Sequence, residues 1–164
     1  MYSILITICA RGGSKGIPGK NIKALNGKPL IAYTIDHAQK FASKHSKSKI
    51  SLSTDSQEII DVAKEHGVHS DYVRPEELAR DDTGKLDVIE DLLKYEEKKE
   101  GEIFDVIVDL DVSSPLRKVK DLDTCMKKLI EHPKAVNIFS VSEPDHNPYF
   151  DMVEENQEGF FNLV

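Results

Sequence analysis

The sequence predicts an α/β fold, a doubly wound and mostly parallel sheet, on two observations. Apolar runs alternate with stretches whose apolar residues recur at helical spacing, which is the pattern of successive strand–helix–strand units. The first apolar run, residues 4–8, leads directly into a loop rich in glycine and positive charge. Loops at the carboxyl end of a first parallel strand are where such sheets bind nucleotides. At 164 residues, the chain is long enough for one well-buried domain.

Each element follows from a local signal in the sequence. Strands are predicted where apolar residues run together, at residues 2–9, 49–53, 68–73, 104–110 and 135–141. Helices are predicted where apolar residues recur at helical spacing, at residues 30–41, 57–66, 85–98 and 120–131. Pro29 suits the start of the first helix, Ser56 can cap the second, and Gly67 can end it. A hairpin that turns near residues 156–159 is expected after the last strand.

The composition argues against several classes of function. The formal net charge of −7 is unlike that of a nucleic-acid-binding protein, which would usually present a basic face. Because the chain has no run of about 18 apolar residues, we expect no membrane span and no membrane partner. The first apolar segment is too short for a secretory signal, so a cytoplasmic location is expected. Cys9 and Cys125 show no metal-type spacing and are expected to be small core residues.

The loop at residues 9–21 contains four glycines and three fixed positive charges, Arg11, Lys15 and Lys20. Glycines allow backbone N–H groups to approach a ligand closely, and the cations supply charge-assisted donors for phosphate oxygens. A dinucleotide fingerprint does not fit, because Arg11 stands where its first glycine belongs. A Walker A loop does not fit either, because Asn21 replaces the magnesium-binding hydroxyl. The remaining type is a nucleotidyltransferase loop, whose cations hold a triphosphate.

Five motifs extend this interpretation along the chain. They are the segments A-R-G-G-S-K-G-I-P-x-K-N, G-K-P-L-I-A-Y-T-I, S-T-D, R-P-x-x-L-A-x-D and S-S-P-L-R, at residues 10–21, 27–35, 53–55, 74–81 and 113–117. In this order they resemble the acylneuraminate cytidylyltransferases, the CMP-sialic acid synthetases. Residues 109–113 and 147–150 most resemble the bacterial branch of that family that activates legionaminic-type nonulosonic acids.

The resemblance implies a Rossmann-like nucleotidyltransferase fold. Residues 1–142 would form the nucleotide-binding domain, and residues 143–164 would start an incomplete dimerisation arm. The implied reaction joins CMP from CTP to a nonulosonic acid, with Mg²⁺ as cofactor, release of pyrophosphate, and a homodimer as the active form. Two alternatives stay open: a related nucleotidyltransferase of the KDO type, and a nucleotide-binding fragment that lacks turnover.

The resemblance also implies the site residues. The nucleotide would contact Ala10, Arg11, Gly13, Ser14, Lys15, Lys20, Asn21, Arg74, Ala79, Asp81, Thr83 and Lys85. Catalysis would rest on Arg11, Lys20 and Asp111, and the sugar would meet Asp111 and Arg117. Asp109 and Asp111 lie on one face of a strand, and Asp111, nearer its carboxyl end, is expected to be the metal ligand. Many sialic acid synthetases have glutamine at the position of Asp111. The family's later acidic metal-binding segment does not occur before Val164, so the chain is expected to be truncated and to lack part of the catalytic site.

Overall fold

The computed structural model describes residues 1–14, 16–142 and 152–163. The chain divides into two compact units, Met1–Thr124 and Cys125–Val164. The predicted domain boundary follows residue 142, the last residue described before a gap. Lys15 and the motif at residues 147–150 lie outside the described ranges. The predicted division into 1–142 and 143–164 therefore stays a prediction.

The elements follow in an order typical of α/β proteins. The strands are β1 (Ile4–Cys9), β2 (Ala24–Leu25), β3 (Lys28–Pro29), β4 (Ser48–Ser53), β5 (Val106–Asp109), β6 (Val153–Glu155) and β7 (Phe161–Leu163). The helices are α1 (Leu30–Ala42), α2 (Gln57–Glu65), α3 (Lys85–Glu100) and α4 (Val119–Glu131). Short 3₁₀ turns occur at Lys20–Ile22 and Glu76–Leu78.

The central sheet lies in the first unit and is parallel, in the order β4-β1-β5. Ile6 at its centre is paired with Ile50 on one side and Val108 on the other. The chain passes from β1 through α1 to β4, and then returns past β1 through α2 and α3 to β5. The winding therefore reverses beside β1, and the crevice at its carboxyl end is where open α/β sheets bind ligands. The predicted α/β fold is confirmed.

The core holds β1 rigidly. Ile4, Leu5, Ile6 and Ile8 are almost fully buried, and α1 covers the sheet with a buried face that ends in Phe41. A strand buried on both faces and paired on both edges has little freedom to shift, so the loop after Cys9 starts from a fixed point. Within the described ranges, no helix combines the length and the hydrophobicity that a membrane crossing requires.

Two predicted strands are wrong. Residues 68–73 and 135–141 join no ladder within the described part of the chain. In the first segment Val68 and Tyr72 are buried, but Ser70 Oγ, rather than a ladder, donates to the Leu52 carbonyl at 3.1 Å. In the second, Val136 is 94% exposed, so its apolar residues are not sheet core. An apolar run indicates that a segment tends to be buried. To form a strand, the segment must also lie beside another strand with which its backbone can hydrogen-bond.

Two hairpins flank these regions of the sequence. The hairpin of β6 and β7 turns at residues 156–159, as predicted, with Gly159 at a φ of 80°. The short hairpin of β2 and β3, which precedes α1, was not predicted. Its two-residue turn is Asn26-Gly27, with φ values of 50° and 79°, a pair strongly favoured in such turns because both positions need positive φ.

Candidate functional site

A cavity of about 490 Å³ opens at the carboxyl end of β1. It is lined by residues of the glycine loop and of the segment after β5, namely Cys9, Arg11, Ser14, Gly16, Ile17, Lys20, Asn21, Asp111 and Ser113. These two segments meet because β1 and β5 are neighbouring parallel strands whose carboxyl ends lie at one edge of the sheet. The structure thus brings together the predicted phosphate loop and the predicted metal ligand.

Lys20 spans the two walls of this cavity. Its Nζ donates to Ser113 Oγ at 2.9 Å. The residue before it, Gly19, has a φ of 64° and starts the 3₁₀ turn Lys20–Ile22, which directs the lysine inward. Since its partner is a neutral hydroxyl, the ammonium group keeps its full charge for an anion in the cavity.

Arg11 lines the cavity and is paired with a carboxylate. Its Nη1 lies 2.6 Å from Asp81 Oδ1, and its side chain is 32% exposed. Asp81 therefore occupies a guanidinium group that was predicted to hold phosphate. A triphosphate, with more negative charge and more acceptor oxygens than one carboxylate, is suited to replace this pair.

Three hydrogen-bond donors of the loop have partners within the protein. Gly12 N–H donates to Asp55 Oδ1 at 2.8 Å, and Ser14 N–H donates to the Gly12 carbonyl at 3.0 Å. Asn21 is buried, and its Nδ2 donates to the Arg11 carbonyl at 2.9 Å. The charged groups among the described residues of the cavity wall are the side chains of Arg11, Lys20 and Asp111.

Asp109 and Asp111 have different environments. Asp109 accepts a hydrogen bond from Thr7 Oγ1 at 3.0 Å and lies 2.6 Å from Lys85 Nζ. Burial alone would lower the pKa of Lys85, but this ion pair raises it above its ordinary value, so the lysine stays charged. Asp111 is exposed on the cavity wall, where its Oδ1 accepts from Ser113 N–H at 3.2 Å.

A metal ion has a partial set of ligands here. No group of three His, Cys, Asp or Glu side chains in the described ranges is placed to hold a metal by itself. Among the described residues that line the cavity, Asp111 is the one carboxylate. Mg²⁺ in nucleotide sites commonly takes one or two carboxylates together with phosphate oxygens and waters. The residues present therefore fit an ion that enters with a nucleotide.

Arg117 holds the backbone of Asp111. Its Nη2 donates to the Asp111 carbonyl at 2.5 Å, and Thr34 Oγ1 donates to the same oxygen at 3.4 Å. Burial lowers the pKa of Arg117, and its Nη1 is buried without a hydrogen-bond partner among the described residues. This predicted sugar-binding residue is bonded to the backbone of Asp111 and is not among the described residues that line the cavity.

The predicted nucleotide residues at 74–85 have partners within the protein. Arg74 is buried, and its Nε and Nη2 donate to Ser53 Oγ and the Ser53 carbonyl at 3.0 and 2.8 Å. Thr83 Oγ1 donates to the Glu77 carbonyl at 3.0 Å, and Ala79 N–H closes a turn onto Glu76. The cavity lining includes none of the residues described at 74–85, nor Ala10 and Gly13 of the loop.

Four residues of the cavity wall were not predicted as site residues, namely Cys9, Gly16, Ile17 and Ser113. Ser113 begins the S-S-P-L-R motif, and its closeness to Asp111 in sequence is the signal that could have identified it. Cys9 and Cys125 are half-buried rather than core residues. Burial, together with the nearby negative charge of Asp109, raises the pKa of the Cys9 thiol to about 12. Cys9 therefore faces the cavity as an uncharged thiol.

Comparison with known proteins finds a matching family model and relatives with similar sequences. The family model described as cytidylyltransferase matches residues 5–158. The chain is 42% identical over 154 residues to CMP-N,N'-diacetyllegionaminic acid synthase from Campylobacter jejuni, covering 94% of this chain and 64% of that protein. It is 38% identical over 156 residues to post-translational flagellin modification protein B from Campylobacter coli, again covering 94% and 64%. The chain thus spans just under two thirds of the length of these relatives.

Two solved structures share the fold. CMP:2-keto-3-deoxy-manno-octonic acid synthetase complexed with CTP matches with a TM-score of 0.61 and 20% identity, over 80% of this chain and 48% of that one. A cytidylyltransferase from Leptospira borgpetersenii matches with a TM-score of 0.58 and 22% identity, over 82% and 51%. At this identity the likeness shows the fold.

Proposed function

The chain belongs to the cytidylyltransferase family, and we propose that it binds CTP as part of an enzyme that transfers CMP to a nonulosonic acid and releases pyrophosphate. The observation that carries the proposal is the cavity at the sheet's switch point, where Arg11 and Lys20 face Asp111. Cations for a triphosphate and a carboxylate for its metal ion are the two kinds of group that nucleotidyl transfer requires.

The proposed sugar is of the legionaminic type. The support comes from relatives that are 42% and 41% identical, the CMP-N,N'-diacetyllegionaminic acid synthases of Campylobacter jejuni and Legionella pneumophila. The pseudaminic acid cytidylyltransferase of Campylobacter jejuni is 32% identical. The KDO alternative is supported by likeness of fold at 20% identity. Sequence similarity therefore favours legionaminic-type acids over both.

The proposed chemistry depends on charge and position. In nucleotidyl transfer the anomeric hydroxyl of the sugar attacks the α-phosphorus, and negative charge builds up on the phosphate oxygens. Arg11 and Lys20 would hold the triphosphate from the glycine-loop side, with Ser14 as a neutral donor. Lys20 would exchange Ser113 Oγ for a phosphate oxygen, and Arg11 would exchange Asp81. Fixed cations that need no rearrangement during the reaction lower the barrier electrostatically.

Asp111 would hold Mg²⁺ together with phosphate oxygens of the nucleotide. When bound, such an ion neutralises phosphate charge and orients the triphosphate. The role of the protein is to keep Asp111 on the cavity wall, and the Asp111 backbone is held there by Arg117 and Thr34. Asp109 is occupied by Thr7 and Lys85, which leaves Asp111 as the available carboxylate of the pair.

The transfer step, the sugar and the homodimer are proposals for the whole protein, since the chain spans 64% of its first two relatives. The alternative, a nucleotide-binding part without turnover, makes the same prediction for CTP binding. Turnover of CTP and a nonulosonic acid to pyrophosphate by the 164-residue chain would exclude it.

Calorimetric titration with CTP, UTP, ATP and GTP in the presence of Mg²⁺ tests the proposal. We expect CTP to bind clearly more tightly than ATP or GTP, because a pocket built to pair one base leaves polar groups unpaired with another. Equal affinity for ATP would contradict a cytidylyltransferase.

The metal assignment is tested by the same titration with and without Mg²⁺. Asp111→Asn should abolish most of the Mg²⁺-dependent gain in CTP affinity and leave metal-free binding close to the parent value. The matched control is Asp82→Asn, since Asp82 is a surface carboxylate paired with Arg80. A full Mg²⁺ gain in Asp111→Asn would remove Asp111 from the metal site.

A further inference from the structure

One peptide group of the glycine loop is held at both ends. The peptide unit between Arg11 and Gly12 contains the Arg11 carbonyl and the Gly12 N–H. The carbonyl accepts from Asn21 Nδ2 at 2.9 Å, and the N–H donates to Asp55 Oδ1 at 2.8 Å. A peptide unit is planar, so fixing both of its polar groups fixes the orientation of the whole plane.

The surroundings make this arrangement close-fitting. A Cβ placed on Gly12 would lie 3.0 Å from Ser56 Cβ, which is tighter than side chains normally pack. Asn21 is 6% exposed, so its amide is shielded from competing water. Thr54 Oγ1 accepts from Ser56 N–H at 3.2 Å and orders the turn that carries Asp55. The loop therefore lies directly on the turn between β4 and α2.

Because residue 12 is a glycine, its backbone needs hydrogen bonds to hold it in one conformation. The close approach to Ser56 favours a residue without a Cβ, but glycine also has the widest choice of backbone conformations. The plane of the 11–12 peptide contains the Cα of Arg11, so displacement of that plane would shift the base of the Arg11 side chain and with it the guanidinium group. The two hydrogen bonds restrict this displacement.

We propose that Asp55 and Asn21 are positioning residues that clamp the 11–12 peptide and thereby direct Arg11 into the cavity. The inference rests on the proposed function, since it concerns how the CTP site is held in shape. The S-T-D motif thereby acquires a role, in which Asp55 orders the phosphate loop through the backbone rather than by contact with the nucleotide. Asn21 would act in the same way from the other end of the peptide, through its hydrogen bond to the Arg11 carbonyl.

The experiment compares two substitutions of Asp55. Asp55→Asn keeps an Oδ1 acceptor of the same shape, whereas Asp55→Ala removes it. Asp61→Ala is the matched control, because Asp61 is an exposed carboxylate on neighbouring α2 whose hydrogen bond is to Gln57. The measurements are amide hydrogen exchange at Gly12 in the nucleotide-free 164-residue chain, and calorimetric CTP binding.

We expect Asp55→Ala to lose protection at the Gly12 amide and to bind CTP about tenfold more weakly, as the loss of one charge-assisted hydrogen bond implies. Asp55→Asn should regain the protection and most of the affinity, and Asp61→Ala should match the parent. Parent-like exchange or CTP affinity in Asp55→Ala would overturn the proposal. So would an Asp55→Asn variant as impaired as Asp55→Ala, because charge rather than the acceptor would then be responsible.

Asn21→Ala tests the other end of the clamp and should impair the same two measurements. Because Asn21 is buried, urea unfolding checks that this variant folds, and the Asp55 pair decides the question if it does not. Failure of the proposed function looks different. If the parent does not bind CTP while Gly12 exchange still separates Asp55→Ala from Asp55→Asn, the clamp stands as a structural device and the nucleotide assignment is rejected.

Discussion

The glycine loop and the segment at residues 74–85 were both predicted to contact the nucleotide. Cationic side chains of the loop line the cavity, whereas those of the segment pair with other groups of the protein. In the loop, Arg11 and Lys20 reach the cavity wall. In the segment, Arg74 is 6% exposed and donates twice to Ser53. Lys85 pairs with Asp109 rather than lining the cavity.

This difference separates two roles of a cation in a shared motif. A partly exposed cation with a replaceable partner, such as Arg11 with Asp81, can exchange that partner for a ligand. A buried cation that donates to backbone cannot do so without leaving the carbonyl unpaired, at a cost of about 1–3 kcal/mol. Burial and partner type therefore predict which motif residues bind and which hold the structure together.

The largest expected effect concerns Cys9, where the glycine loop begins. At pH 8 in a Cys125→Ser background, alkylation of Cys9 by iodoacetamide should be at least about a hundredfold slower in the folded protein than in urea. Burial raises the pKa of this thiol to about 12, so the reactive thiolate is scarce at pH 8. Equal rates in both states would mean that the carboxyl end of β1 is open to solvent.

Removing either loop cation should weaken CTP binding by about 1.5–3 kcal/mol, the range for hydrogen bonds to charged groups. The variants are Arg11→Ala and Lys20→Ala, measured by calorimetry, with Lys23→Ala, an exposed lysine just after the loop, as the control. Folding stability should change little, since surface substitutions usually stay within about 0.5 kcal/mol. Two variants that bind CTP like the parent would show that the loop does not hold phosphate.

Arg74→Ala should show the opposite pattern. Loss of a buried charged donor to Ser53 should lower the free energy of unfolding by about 1.5–3 kcal/mol in a urea titration. The preference for CTP over GTP should persist in the fraction that remains folded. A parent-like urea midpoint with lost base discrimination would restore Arg74 to the cytosine pocket, as the motif resemblance implies.

The smallest expected effect concerns the Arg11 partner. Asp81→Asn removes a carboxylate that competes with phosphate for Arg11, so CTP affinity should rise by about 0.2–1 kcal/mol, the usual worth of an exposed ion pair. The gain should shrink as salt is added. Weaker binding instead would indicate that Asp81 contacts the nucleotide, as its place in the R-P-x-x-L-A-x-D motif implies.

The parts of the site that could be predicted follow from the sheet. Once the segments before Cys9 and Asp111 are recognised as parallel strands, their carboxyl ends must lie at one edge if the strands are neighbours. The glycine loop and Asp111 therefore meet, although about a hundred residues separate them. The choice of Asp111 over Asp109 as the carboxylate nearer the cavity follows from the same geometry.

The parts that could not be predicted depend on hydrogen-bond partners from other segments of the chain, which local sequence patterns do not show. Nothing in the R-P-x-x-L-A-x-D motif shows that Arg74 is buried, because its acceptors belong to the end of β4. Residues 68–73 have the apolar content of a strand, but Ser70 satisfies the Leu52 carbonyl without a ladder. The clamp on the 11–12 peptide depends on two side chains, from positions 21 and 55, that local sequence patterns treat separately.

The position of β1 at the centre of the sheet has a consequence for synthesis on the ribosome. β1 needs a neighbour on each edge, and the second of these, β5, emerges about a hundred residues after β1. Contacts between such distant segments close slowly and leave early strands exposed in the meantime. The wall formed by Asp111 and Ser113 does not exist until those residues have been translated. In the nascent chain, the glycine loop therefore follows a strand that is unpaired on one edge until β5 has been translated.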